Sequence, residues 1–241
     1  MMTQHPAHRP ALGPNPGILA AISFGLFTAS IVMSAIVTRG DSVISPFSTT
    51  DDVVAFFREH GTVVAFASML QFGSAVPLAI CAASVYTRML HLGARVPGPA
   101  IGLVGGIAAA VTLMMSTFAW WTLSRTEVTV DATLTHALAF FSFVAGGVGF
   151  STGLGLLVAG VAVPMLILKL GPRWLAWTGL VIAGLAELSF MSMTVEQLHA
   201  VIPIARFAGL PWLIVAGFSL PRTRSEAQHH RTPATSSAQQ I

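Results

Sequence analysis

The chain has one cysteine and few charges, and it carries no motif that by itself identifies a catalytic, metal or nucleotide chemistry. Cys81 lies inside a long apolar run, so an intrachain disulfide is excluded and the thiol reads as a small packing group. Charged residues make up only 9% of the 241 residues, and the mean hydropathy is +0.76. A water-soluble domain is thereby excluded, because it could not hide so much apolar surface.

What the sequence has instead is a series of six apolar runs, each to be measured against the roughly 20 residues that a helix needs to cross a hydrocarbon core of roughly 30 Å. Residues 18–38, 62–87, 96–124 and 132–168 contain no Asp, Glu, Lys or Arg. Residues 174–194 carry only Glu187, and residues 197–221 carry only Arg206 together with His199. The expected fold class is all-α, a polytopic integral membrane protein of six transmembrane helices. The expected organisation is a disordered cytoplasmic segment over 1–16, a transmembrane domain over 17–221 and a disordered cytoplasmic tail over 222–241. The first run exceeds a signal-peptide apolar region and no small-x-small cleavage site follows it, so it is read as a retained helix.

The joints between runs alternate in sign. Arg88 and Arg95, then Lys169 and Arg173, then Arg222, Arg224 and Arg231 follow the even-numbered runs. Asp41, Asp51, Asp52 and Glu59, then Glu127 and Asp131, then Glu196 follow the odd ones, opposed only by Arg39, Arg58 and Arg125. Basic residues in short loops stay cytoplasmic, which puts both termini inside. The same asymmetry accounts for the pI near 10.0, so nucleic acid is not an expected partner. Trp120 and Trp121 are expected at the outer headgroup level, and Tyr86, Trp174 and Trp177 at the inner one.

Local signals add detail. Ser48, Thr49 and Thr50 are candidate caps for a helix running from Asp51 to Thr87, about 55 Å at 1.5 Å per residue, with Gly61 as its bend and Val53, Val54, Phe56 and Phe57 at the outer interface. Gly146 and Gly147 are the weak point of the fourth run, and the outer face should be the more structured one. Phe72 lies 21 residues before Gly93 and Phe150 lies 21 before Gly171, each Leu-Gly break leading through proline into the next run. The pattern fits three helix-hairpin repeats, and it equally fits coincidence among Gly-rich apolar segments. Small residues at helical spacing, Gly25 and Ala29, Ala75, Ala79 and Ala83, Gly102, Gly106 and Ala110, Gly149 and Gly153, read as helix-packing positions.

Three sets of polar residues are candidates for function. Glu187 and Arg206 are charges inside spans; both stand about 20 Å above the inner boundary at 1.5 Å per residue, which predicts an ion pair between the fifth and sixth helices. With Gln71 they form the candidate ligand-binding set. His60, His136 and His199 belong to outer helix ends and would offer imidazoles to a metal or haem if clustered, yet their spacing matches no metal motif, and His229 with His230 is weaker still. Gly149-Phe150-Ser151-Thr152-Gly153 fits the G-x-S-x-G pattern, but inside an apolar helix it lacks the strand and turn that a soluble hydrolase needs. Ser151 on the fourth helix and His199 on the sixth resemble the layout of rhomboid proteases. That family's oxyanion His and Asn and its loop Trp-Arg pair are missing here, and a packing role for the segment is preferred. No catalytic residue, metal or cofactor is assigned.

The segments Lys169-Leu170-Gly171-Pro172-Arg173-Trp174-Leu175-Ala176 and Gly179-Leu180-Val181-Ile182-Ala183-Gly184, with Trp212-Leu213-Ile214-Val215-Ala216-Gly217-Phe218, resemble a bacterial family of small six-helix membrane proteins known only as domain of unknown function 4386. The resemblance implies the six-helix form and a bacterial plasma membrane, and it supplies no activity. The functional classes left are a small permease or ligand-binding membrane protein, taken first; an accessory or scaffold subunit whose small-residue faces bind a partner helix or a second copy; and, more remotely, a membrane enzyme using the outer histidines or Ser151. The lipid bilayer is the partner common to all three.

Overall fold

The structure, a computed structural model, describes residues 13–38 and 44–221. The N-terminal residues 1–12 and the tail from 222, with Arg39, Asp41, His229 and His230, lie outside the described residues. The elements run α1 (Pro16–Val37), α2 (Thr50–His91), α3 (Gly98–Leu123), a single turn α4 (Thr126–Thr129), α5 (Ala132–Phe143), a π-turn (Val144–Gly149), α6 (Phe150–Leu168), α7 (Arg173–Leu188), two 3₁₀ segments (Ser189–Met193 and Glu196–Ala200) and α8 (Val201–Ser219). Six stretches are long and apolar enough to cross a membrane, with α5, the π-turn and α6 forming the fourth and the 3₁₀ segments extending the last two. Large apolar side chains stand outward all round, among them Ile36, Val104, Phe118 and Val181, a surface suited to lipid. The protein is an all-α, multi-pass membrane protein.

Capping follows the sequence. Asn15 accepts from the Gly17 N–H with Pro16 in the first turn of α1. Thr49 Oγ1 accepts from the Asp52 N–H and its hydroxyl donates to Asp52 Oδ2 at 2.6 Å, while Asp51 and Asp52 place negative charge at the start of the α2 dipole. The bend in α2 falls at His60 (φ −108°, ψ 18°), next to Gly61. Glycine is needed there because a Cβ would lie 2.9 Å from the Ser124 carbonyl oxygen at the end of α3.

The spans form a ring in which each packs against its neighbours in the chain and α8 closes onto α1. The fourth span is the most enclosed, with 61% of its apolar window buried against 28% for α1. Along the α3–α6 seam, a Cβ on Gly153 would stand 2.9 Å from the Ala109 Cα and from the Gly105 carbonyl oxygen, so the two backbones touch directly. Gly102, Gly106 and Ala110 are buried as expected, and Cys81 is fully buried with its thiol 3.4 Å from the Pro16 carbonyl. Gly25 and Ala29 are not packing positions: both are exposed, and nothing lies within 4 Å of a Cβ on Gly25.

The two hairpin breaks use one device in different registers. After α2, Gly93 (φ 91°) takes the left-handed conformation, and the Gly93 and Ala94 N–H groups bond back to Leu90 and Met89. After α6 it is Lys169 (φ 52°), with the Leu170 N–H reaching Met165. Gly93 thus corresponds to Lys169 and not to Gly171, so the equal Phe-to-Gly spacing does not mark equivalent positions.

The end of the bundle that bears the acidic joints is the more elaborate. Arg58 Nη2 donates to the Thr129 carbonyl at 2.7 Å, tying the α2 extension to α4. Val53 and Phe57 are buried in a second small core with Val64, Leu123 and Ala139, so they fill the interior of this end where an interfacial position was expected. Trp120 likewise turns inward onto Phe57 (centroids 5.9 Å apart, 85° between planes), whereas Trp121, Trp174 and Trp177 are exposed in the manner of a belt.

Candidate functional site

The feature that the fold positions is a cavity of ≈ 340 Å³ inside the ring toward its acidic end. Phe27 and Ile31 of α1, Phe57 and Gln71 of α2, Leu113, Ser116 and Trp120 of α3, Ser142 and Phe143 of α5, Gly146 and Gly147 of the π-turn, His199, and Ile202 and Arg206 of α8 line it. The sequence candidates Gln71, Arg206 and His199 are therefore brought to one space. Among the described residues no carboxylate lines it.

The π-turn builds one wall. Its i→i+5 pattern displaces backbone carbonyls from their α-helical partners, a distortion common at functional sites. Of the carbonyls in this turn, that of Gly146 accepts a hydrogen bond from Arg206 Nη2. Gly146 also lies against Ser116, where a Cβ would come 2.7 Å from the Ser116 Cβ. Ser116 Oγ donates to the Ser142 carbonyl at 3.0 Å and stands 2.9 Å from Ser142 Oγ, joining α3 to α5 just before the turn.

Arg206 is incompletely satisfied. Its Cζ lies 5.5 Å from the Phe150 ring centroid, and Phe150 stacks on Phe27 at 5.9 Å. Arg206 Nε is buried and has no hydrogen-bond partner. A guanidinium at the middle of a span costs roughly 2.5–3.5 kcal/mol on insertion scales, and one carbonyl with one ring face offsets only part of that.

The ion pair with Glu187 does not form. Glu187 faces α6, where a Cβ on Gly155 would stand 3.0 Å from Glu187 Oε1, and that oxygen has no hydrogen-bond partner. It lies outside the cavity lining. The equal heights counted along α7 and α8 say nothing of azimuth, and the two helices turn their charges onto different neighbours.

The histidines are separately engaged. His136 Nε2 donates to the Pro46 carbonyl at 2.7 Å, which in the neutral ring leaves Nδ1 to accept from the Thr50 hydroxyl at 2.8 Å. His199 Nε2 donates to the Ser192 carbonyl at 3.0 Å, with its ring stacked on Phe47 and edge-on to Phe143. His60 packs on Phe56. Among the described residues no group of three His, Cys, Asp or Glu side chains is placed to hold a metal ion. Ser151 is fully buried, its Oγ has no hydrogen-bond partner, and it makes no bond to His199.

A larger furrow of ≈ 630 Å³ runs between α2 and α3 past Phe66, Met69, Phe72, Phe118 and Trp121. These walls are exposed on the outside of the bundle, so the furrow belongs to its apolar outer surface, and among the described residues it holds no charged group to orient a ligand. No protein-family model, curated protein or solved structure matches this chain.

Proposed function

We propose that the protein is a membrane-embedded binding protein of the small-permease kind, whose site is the cavity around Arg206. The observation that carries this reading is a charged, partly unsatisfied guanidinium lining a cavity within an otherwise apolar bundle. Intramembrane charges facing an interior cavity are characteristic of ligand and ion pathways. The resemblance to domain of unknown function 4386 supports a bacterial plasma membrane, and the alternating joint charges support cytoplasmic termini with the cavity toward the outer face. A scaffold role has one observation in its favour, the exposed small residues Gly25 and Ala29, where a partner helix could approach α1 closely.

The test is native mass spectrometry of the detergent-purified protein, with an absorption spectrum. A small-molecule adduct that disappears in Arg206→Gln supports the binding reading. Co-purification of a polypeptide alone, retained in Arg206→Gln and lost in Gly25→Leu, would replace it with the scaffold reading.

A further inference from the structure

Resting on the binding role just described, we propose that the cavity takes a small monocarboxylate with an aromatic or branched apolar body, its carboxylate on Arg206. Three observations define this class. The charge comes first: among the described residues one guanidinium lines the space and no acidic side chain does, so a single negative charge completes the site and a dianion leaves one in excess. Hydrogen bonding comes next. A guanidinium has five N–H donors and one is used on Gly146, which leaves donors for a carboxylate oxygen in a charge-assisted bond. Ser116 and Gln71 stand in the same lining as further polar contacts.

Size and surface set the rest. A volume of ≈ 340 Å³ equals about eleven water molecules at roughly 30 Å³ each, near the lower limit of small-molecule sites and too small for a phospholipid. The remaining wall is apolar and rich in rings, with Phe27, Phe57, Trp120 and Phe143 around the space. Such rings suit a flat or branched hydrocarbon body beside the charged end.

The experiment measures thermal stabilisation and calorimetric binding on the full chain in detergent or nanodiscs. The probes are benzoate, phenylacetate and 4-methylpentanoate, each beside its uncharged primary amide, and phenyl phosphate as a dianion. Expected is saturable binding of at least one acid, with its amide and phenyl phosphate weaker by roughly tenfold or more. Arg206→Gln should abolish the preference for acid over amide. Ala139→Phe, at a residue that borders both the second core and the cavity, should fill part of the space and abolish binding altogether. Amides that bind as tightly as acids, with both lost in Ala139→Phe, would overturn the ligand class and leave the binding role standing. Acids and amides all failing to bind wild-type protein would overturn the ligand class, and the binding role would then be decided by the native mass spectrum. The acid-amide comparison on wild-type protein decides the matter even if Arg206→Gln does not fold.

Discussion

Arg206 on α8 is held by a carbonyl of Gly146, a residue on a different span in a turn that is not α-helical. Among the described residues, the bond joins the one charged side chain that lines the cavity to the one stretch of the fourth span where the α-helical pattern is interrupted. Side-chain charge and backbone irregularity therefore stabilise each other, and each is best tested through the other.

Gly146→Ala should destabilise the protein by about 1–3 kcal/mol, since its Cβ meets the Ser116 Cβ at 2.7 Å. Gly147→Ala should be nearly silent, because its nearest neighbours are Ile202 Cδ1 at 3.6 Å and Arg206 Nη2 at 3.7 Å, ordinary contact distances. Unfolding midpoints in detergent compare the two, and equal effects would contradict the geometry.

Glu187→Gln and Arg206→Gln should be additive within about 0.3–0.5 kcal/mol, as expected of side chains that share no partner. A double-mutant cycle on thermal unfolding measures this. A coupling of 1 kcal/mol or more, on the order seen for residues in direct contact, would reinstate the ion pair.

At the α3–α6 seam, Gly153→Ala should cost roughly 1–3 kcal/mol because the new methyl meets backbone, which cannot rotate away. Gly25→Ala on the outside of α1 should be neutral or slightly stabilising. The contrast is read from the same unfolding assay.

His136→Ala should loosen the connector before α2, because the imidazole bridges the Pro46 carbonyl and the Thr50 hydroxyl. A loss of about 1–3 kcal/mol is expected, with faster amide exchange in residues 46–52. Unchanged exchange there would show that the bridge does not form in the membrane.

Reporter fusions test the orientation. Fusions at Gly93 and Gly171 should report the cytoplasm and one near Asp131 the opposite side. The reverse pattern would invert the proposed topology.

Spans and irregularities were legible in the sequence for simple reasons. Apolar length fixes a crossing, and glycine marks where a helix can depart from its ladder, so Gly61 pointed to the bend at His60 and Gly146-Gly147 to the π-turn. Azimuth was not legible. Residue counts give a height at 1.5 Å per residue, but which way Glu187 and Arg206 face depends on how α7 and α8 are rotated against α6 and the π-turn. Gly25 misled for a related reason, since in lipid the outward and inward faces of a helix are both apolar and a small-residue stripe does not tell them apart. Trp120 and Phe57 carried an interfacial signature and instead fill the acidic end: the α2 extension was legible, but α4, a single turn outside the apolar runs, was not, and together they give these rings an interior to occupy.

The π-turn has a consequence for how this gene can vary in length. Its wider pattern holds one residue more than an α-helix would need, and one residue corresponds to about 100° of rotation around the axis. Deleting a single codon within 144–149 would leave an apolar stretch still ample for a crossing, since the fourth span has 37 residues. It would also remove the extra residue, so the turn would become regular α-helix with Ser142 and Phe143 still in phase with Gly153 and Leu157, while the displaced Gly146 carbonyl would lose its place against Arg206. A single-codon insertion would instead turn one half of the span by about a quarter turn against the other. Loss of one residue in this segment should therefore spare the fold and cost the site, whereas gain of one should cost both.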